Sequence, residues 1–386
     1  MAAHGSALLP LILLGTLAVS VRQDLGFDEA AFGAMPAVCF AVAAITSPIC
    51  GRLVEAFGGT WGLRAAALIA AASMLGTGLV ATSWMTLLPF VVLSGLCLSV
   101  AQPASDLWLA HMLPPSHHGR AFGAKQASAG PGVGLLAGLA VPLSVGTVGW
   151  RGAFVCAGGG AVLVLFAIRR AAPRLVRQAP AIGRDEGDVS IRPLLVLTAA
   201  GGMAAVSQAA FLTFAVSSAV ATGMSASGAG LLFAASSAVA VATRLVLGHV
   251  ADRRAGGLLV TIAIMILGSA SGFAVLATHH PTAVLVGLPL VAATAWGWQG
   301  LFFLVVARCN PNAPARASGI ISSGILTGSV LGPMVFGILA REDYTRAWWL
   351  AATSAVVAAA GMIVGRHFVR RDLVARDSPL VAAPAR

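Results

Sequence analysis

The sequence predicts an all-α membrane protein with twelve transmembrane helices in two pseudo-symmetric six-helix bundles. Three observations predict it. Of the 386 residues, 58% are hydrophobic and 10% charged, against about 25% charged in a soluble domain. So little charge cannot cover a soluble surface of this size. Apolar runs recur at roughly 20 residues, the length a helix needs to cross about 30 Å of hydrocarbon. They do not alternate as barrel strands do. Glycine and alanine are abundant, and small residues let membrane helices approach closely.

In chain order the spans read 6–21, 30–50, 65–82, 86–112, 120–144, 150–169, 193–219, 225–248, 257–278, 283–307, 316–340 and 346–368. The first, within MAAHGSALLPLILLGTLAVS, has the apolar length of a signal-peptide core. No Lys or Arg precedes it and many spans follow, so it reads as a membrane helix. An even count puts both termini on one side. The even-numbered connections, the C-terminal tail and the adjoining helix ends hold twenty Lys and Arg; the odd-numbered connections hold Arg22, Arg151, Arg341 and Arg346. That asymmetry predicts cytoplasmic termini. Arginine outnumbers lysine 23 to 1, which points to a GC-rich bacterial genome and thus a plasma (inner) membrane.

Residues 170–192 are polar, Pro-containing and charge-mixed, and read as a cytoplasmic linker. They separate bundles 1–169 and 193–368, with 369–386 a cytoplasmic tail. Landmarks recur between the halves. Gly51 and Gly248 are 197 positions apart, as are Glu55 and Asp252; Arg120 and Arg316 are 196 apart, and Arg151 and Arg346 are 195 apart. Near-constant offsets at separate landmarks indicate a duplicated six-helix unit.

Several classes are excluded. The net charge of +11 is explained by basic loops on one membrane side, so nucleic acid is not an expected partner. Cys39, Cys50, Cys97, Cys156 and Cys309 lack metal spacing and read as inert core thiols. No metal or cofactor is expected. No G-x-x-x-x-G-K-[ST] loop occurs, which argues against direct ATP drive. A membrane enzyme would want clustered His or carboxylates within the spans, and a sensor an appended soluble domain.

The loops Gly51-Arg52-Leu53-Val54-Glu55 and Gly248-His249-Val250-Ala251-Asp252-Arg253-Arg254 concentrate charge in a chain that otherwise avoids it. With the spans around them they resemble the signature of the major facilitator superfamily. The second copy matches through Gly248, Asp252 and Arg253. The first keeps Gly51, Glu55 and Gly58, but has Ala56, Gly59 and Thr60 where bases are usual. Pro131 after Gly130, and Pro333 after Gly332, resemble the glycine-proline motif of the family's exporters. Gln126 stands at an expected glycine of that motif. The fourth-helix Arg-Gly is absent, since Ser94 precedes Gly95. The resemblance implies that Glu55 sits at the start of helix eleven near Arg316, and Asp252 at the start of helix five near Arg120. A charge at a helix end contributes about 0.3–1 kcal/mol, small enough for a latch that must release.

Ionisable residues within spans are costly and therefore informative. They are Asp106 in helix four, Lys125 in helix five and Arg244 in helix eight. Asp106 and Lys125 should lie at similar depth on neighbouring helices and can pair. The resemblance implies that helices five and eight meet, bringing Lys125 and Arg244 to one end of a central cavity. Arg244, four residues before Gly248, resembles an arginine used by carboxylate-transporting relatives. Two readings of these three charges stand: substrate and proton handling, or a structural gate network with snorkelling heads. In Ala295-Trp296-Gly297-Trp298-Gln299-Gly300, Trp296 and Gln299 share a face and suit a cavity wall. Gln102, Gln126 and Gln208 are further candidates. Trp84, Trp150, Trp348 and Trp349 fit an interfacial belt. The loop histidines His111, His117, His118, His279 and His280 read as solvated, leaving Asp106 as the proton-coupling candidate.

The expected function is secondary transport of a small organic solute, an anion, by alternating access and with proton coupling. The molecule would act as a monomer in a lipid bilayer. A proton-coupled drug or metabolite exporter is the alternative, and a non-transporting sensor ranks below it.

Overall fold

The computed structural model describes residues 2–112, 124–171, 191–253, 257–310 and 314–377. Every described element is a helix. Eleven are long and apolar enough to cross a membrane, and a bent pair at the N-terminus makes up to twelve. The first half comprises α1 (Ala2–Thr16), α2 (Ala18–Leu25), α3 (Glu29–Phe57), α4 (Gly59–Val80), α5 (Trp84–Met112), α6 (Ala124–Leu143) and α7 (Gly149–Ala171). The second comprises α8 (Ile191–Ala221), α9 (Ala226–Arg253), α10 (Leu258–Ala277), α11 (Pro281–Ala295), α12 (Trp298–Cys309), α13 (Pro314–Ala340) and α14 (Tyr344–Asp377). The expected linker falls almost entirely outside the described residues.

Local chemistry sets the ends. Asp28 caps α3, its Oδ1 accepting the Ala31 N–H at 2.9 Å. Gly26, at φ 69°, closes α2 in the left-handed conformation that glycine tolerates. Pro281 begins α11, where a missing N–H costs nothing.

Three spans expected as single helices are interrupted. The first bends by 68° between α1 and α2, and α2 buries Ala18, Val21 and Leu25 against the bundle, touching α8. In α6 a π turn occupies Ser128–Gly132, centred on Pro131, which has no N–H for a regular ladder. The tenth span breaks at Trp296–Gly297, between α11 and α12.

Within the first half α4 packs on α5 and α7, and α3 on α5. Within the second, α8 packs on α13 and α14, and α10 on α11 and α14. Gly324, Gly328 and Gly332 recur every four residues on α13. A Cβ on any of them would collide with the α8 backbone at Thr198, Gly202 or Val206, so small residues set this contact. Gly332, expected in a gate motif, thus packs helices inside one half.

The halves meet through α1 on α8, α3 on α13 and α6 on α9. The α3–α13 contact is one-ended. A Cβ on Gly33 would collide with the Pro333 carbonyl, and one on Gly337 would lie 2.6 Å from the Glu29 carbonyl oxygen. Gly51 and Gly319 lie 18 residues along α3 and α13. Eighteen residues are about five turns, so each is on the same helix face as its partner glycine. Neither Gly51 nor Gly319 has anything within 4 Å of its Cβ position. The helices therefore touch at the face opposite the termini, the far face, and part at the termini face. The α6–α9 contact continues towards the termini face: Gly138 meets Gly230 and Ala234, Gly134 meets Ser237, and a Cβ on Gly130 would lie 3.9 Å from the Arg244 guanidinium.

Candidate functional site

A polar cluster lies inside the first half. Lys125 is 1% exposed, and its Nζ donates to Asp106 Oδ1 at 2.5 Å. The other carboxylate oxygen, Oδ2, accepts from Gln102 Nε2 at 3.3 Å. Gln102 is exposed and the Asp106 side chain is 37% exposed. An exposed amide and carboxylate within a span do not suit hydrocarbon, where unsatisfied polar groups cost several kcal/mol. Beneath them lies His4, 1% exposed, its Nδ1 3.5 Å from Ser105 Oγ. The sequence reading passed over His4, whose signal was only a histidine two residues before the first apolar run.

Arg244 reaches from α9 into both halves. Its Nε donates to the Trp296 carbonyl at 2.5 Å, and Nη1 donates to the Gln126 carbonyl. Among the described residues it has no carboxylate partner. Lys125 and Arg244 thus come to neighbouring positions on α6 and α9, but only Lys125 is paired to an acid.

The remaining candidates divide. Gln126, Gln208 and Gln299 are half-buried. Trp296 is not a cavity wall: it is 2% exposed, edge-on to Phe211 at 5.7 Å and to Phe233 at 5.9 Å. An indole fills that interior space better than a polar-lined path, and what Trp296 offers the site is its backbone carbonyl. The belt reading holds for the exposed Trp84 and Trp349. It fails for Trp348, fully buried and donating to Ser218 Oγ at 2.7 Å, and for Trp150, which donates to Asp24 at 3.1 Å. Both indole N–H groups find an internal acceptor, which an interfacial ring does not need.

Of the expected gate residues, Glu55 is exposed and makes no ion pair among the described residues. Gly248, Asp252 and Arg253 lie on the last turns of α9 and Arg316 on the first turn of α13; the side chains of Asp252, Arg253 and Arg316, and all of Arg120, lie outside the described residues. Gly130 and Pro131 form part of the π turn.

The far face carries a seal that sequence reading missed. Arg22 pairs with Glu29, Arg151 with Asp24 at 3.0 Å, Arg341 with Asp28 at 2.9 Å, and Arg346 with Glu342 at 3.2 Å. These are the four arginines that the charge asymmetry left on the minority side. The Asp28–Arg341 pair joins the two halves, and Asp28 is also the cap of α3. Phe32 of the first half meets Phe214 edge-on at 5.5 Å; Phe214 stacks on Phe336 at 4.8 Å, and Phe336 meets Trp348 edge-on at 4.6 Å. All four rings are fully buried.

A family model described as Major Facilitator Superfamily matches residues 3–308. The chain belongs to the major facilitator superfamily. Solved structures of such transporters share the fold. A bacterial homolog of the human lysosomal transporter Spinster, inward-facing and occupied, has a TM-score of 0.71 at 16% identity, covering 97% of this chain and 95% of that one. The nucleoside transporter NupG has a TM-score of 0.74 at 13% identity, covering 94% and 98%. A D-xylose–proton symporter has a TM-score of 0.74 at 16% identity, covering 94% and 95%. No curated protein matched by sequence. As a major facilitator superfamily member the chain is a multi-pass membrane transporter, not an enzyme. In that setting the one-ended α3–α13 contact reads as a path closed at one face and open at the other.

Proposed function

We propose that the chain moves a small organic anion by alternating access, with both termini in the cytoplasm of a bacterial inner membrane. The observation that carries this reading is Arg244. Its guanidinium is held within a span by two carbonyl dipoles, with no carboxylate among the described residues. An uncompensated cation in a low-dielectric interior is costly, and a carboxylate ligand offsets that cost. The planar fork of arginine matches a carboxylate bidentately. Lys125 adds little to the field because Asp106 neutralises it. Gln102, Gln126, Gln208 and Gln299 supply hydrogen bonds for the rest of the solute.

The excess of Lys and Arg at the termini face supports its assignment to the cytoplasm. The state described is then open inwards, with α3 and α13 apart at the termini face. Asp106 is the proton-coupling group: its carboxylate alternates between binding Lys125 and carrying a proton on the water-exposed path. The molecule works as a monomer.

The test is thermal stabilisation of purified protein by carboxylates, neutral solutes and hydrophobic cations, since a native-state ligand raises apparent stability. Stabilisation by a carboxylate, lost in Arg244→Ala, is the expected result. Stabilisation by cations alone, unchanged in the variant, would overturn the anion reading in favour of an exporter.

A further inference from the structure

We infer that the two helix interruptions beside Arg244, the π turn at Pro131 and the break at Trp296–Gly297, are positioning elements: they free the carbonyls that aim its guanidinium at the anion. The inference rests on the anion reading above.

Each acceptor of Arg244 lies where a helical ladder fails. In a π turn a carbonyl takes the N–H five residues on. Gln126 lies two residues before the turn, and the residue five on from it is Pro131, which has no N–H to donate. Trp296 is the C-cap of α11, and the last carbonyls of a helix have no donor within it. A continuous α6 or a continuous tenth span would bind these oxygens internally. The interruptions sit in different halves, and one side chain of α9 answers both.

The geometry leaves a defined surface. A guanidinium has five N–H donors. The carbonyls take one on Nε and one on Nη1, fixing the plane of the group from two sides. Among the described residues, one N–H of Nη1 and both of Nη2 have no acceptor. The parallel pair at the Nη1–Nη2 end is the fork that a carboxylate meets with two bonds. A Cβ on Gly130 would lie 3.9 Å from Nη1 and 4.0 Å from Nη2, so glycine there leaves that end free of a side chain. A side chain locked by its own hydrogen bonds binds with less entropy lost than a free one. Removing an interruption while keeping Arg244 should therefore weaken the anion without weakening the fold.

The experiment compares wild type with Pro131→Ala and Gly297→Ala in thermal-shift titrations with lactate and succinate, and maps amide exchange over residues 126–132 and 294–300. Alanine at 131 restores an N–H to the ladder. Alanine at 297 meets chiefly the flexible end of Met265 and Leu247 at 3.2 Å, so it folds. The expected result is an unliganded Tm unchanged or raised, slower exchange at the healed turn, and an apparent Kd for the carboxylate at least tenfold weaker. A merely structural role would instead lower the unliganded Tm and leave the Kd alone. Full carboxylate affinity in a variant with a healed turn overturns the inference and leaves the anion reading standing. Absence of any carboxylate effect in wild type overturns the anion reading, and the inference with it. Should Pro131→Ala fail to fold, Gly297→Ala carries the same comparison at the other break.

Discussion

The far face and the termini face are built on the same two helices, yet one is joined and the other is not. At the far face Gly33 of α3 lies against Pro333 and Gly337 of α13 with no room for a methyl group. About five turns away, Gly51 and Gly319 look into open space. The same residue type thus has opposite consequences at the two ends. The far contact is also multiple, with an ion pair, a backbone approach and a ladder of rings crossing the halves. Each tie is weak alone, and together they hold one end while the other is free. That is what an alternating gate requires, because a single strong bond would not release.

The largest expected effect comes from exchanging the ends. Gly33→Val should wedge the far face apart and cut transport in proteoliposomes by at least about a hundredfold, because interiors at this packing density do not absorb such a clash. Gly51→Val should leave the thermal stability of the protein within about 0.5 kcal/mol, as for surface changes generally, since its Cβ has space. It should still impair transport, since closure must bring that face together. Equal loss of stability in both variants would remove the distinction between the ends.

Phe32→Ala should come next. It deletes the ring that joins the first half to Phe214 and leaves a cavity, at a cost of about 3–5 kcal/mol. The loss should appear as a population shift towards a state open at the far face, read as faster labelling of a cysteine placed at the half-buried Ala30. Labelling unchanged from wild type would mean that the rings do not close the far face.

Asp106→Asn removes the carboxylate to which Lys125 donates. A fully buried pair would cost about 3–5 kcal/mol. With the Asp106 side chain 37% exposed, about 2 kcal/mol is expected, falling on the first half and sparing the far seal. Asp106→Asn with Lys125→Met should regain most of it in the same melting experiment.

The smallest effect belongs to Asp28–Arg341, whose side chains are 41% and 59% exposed. Such a pair contributes about 0.5 kcal/mol. Arg341→Gln should therefore change the population of the two states only two- to threefold, and Asp28→Arg with Arg341→Asp should restore it in part, because Asp28 also caps α3. A tenfold change from Arg341→Gln would promote the ion pair above the rings as the main seal.

The sequence made some of this readable. Span length and scarce charge gave the helices, and near-constant offsets such as Gly51 to Gly248 gave the duplication. Matching depth of Asp106 and Lys125 anticipated their pair. The far seal was not readable: Phe32, Phe214 and Phe336 look like any other apolar residue in a span until the halves are assembled. Arg22, Arg151 and Arg341 registered only as exceptions to a charge rule, since their acids are distant in sequence or lie in an unremarked loop. Arg244 was singled out, but its acceptors are backbone carbonyls, which no residue type announces; Pro131 and Gly297 were the only marks. Trp296 and Trp348 were misassigned because an indole at a given depth serves a cavity, a belt or a core equally until its neighbours are known.

The central claim is that the α3–α13 ends open in turn. It is tested most directly by paired spin-label distances on α3 and α13, one pair at Ala30 and Ile338 and one at Leu53 and Ser323, measured in lipid with and without the Gly33→Val change. The account predicts a short far distance and a long termini-face distance in wild type, with the two reversed by the variant. Distances that lengthen together, or a termini-face distance that does not respond, would contradict it.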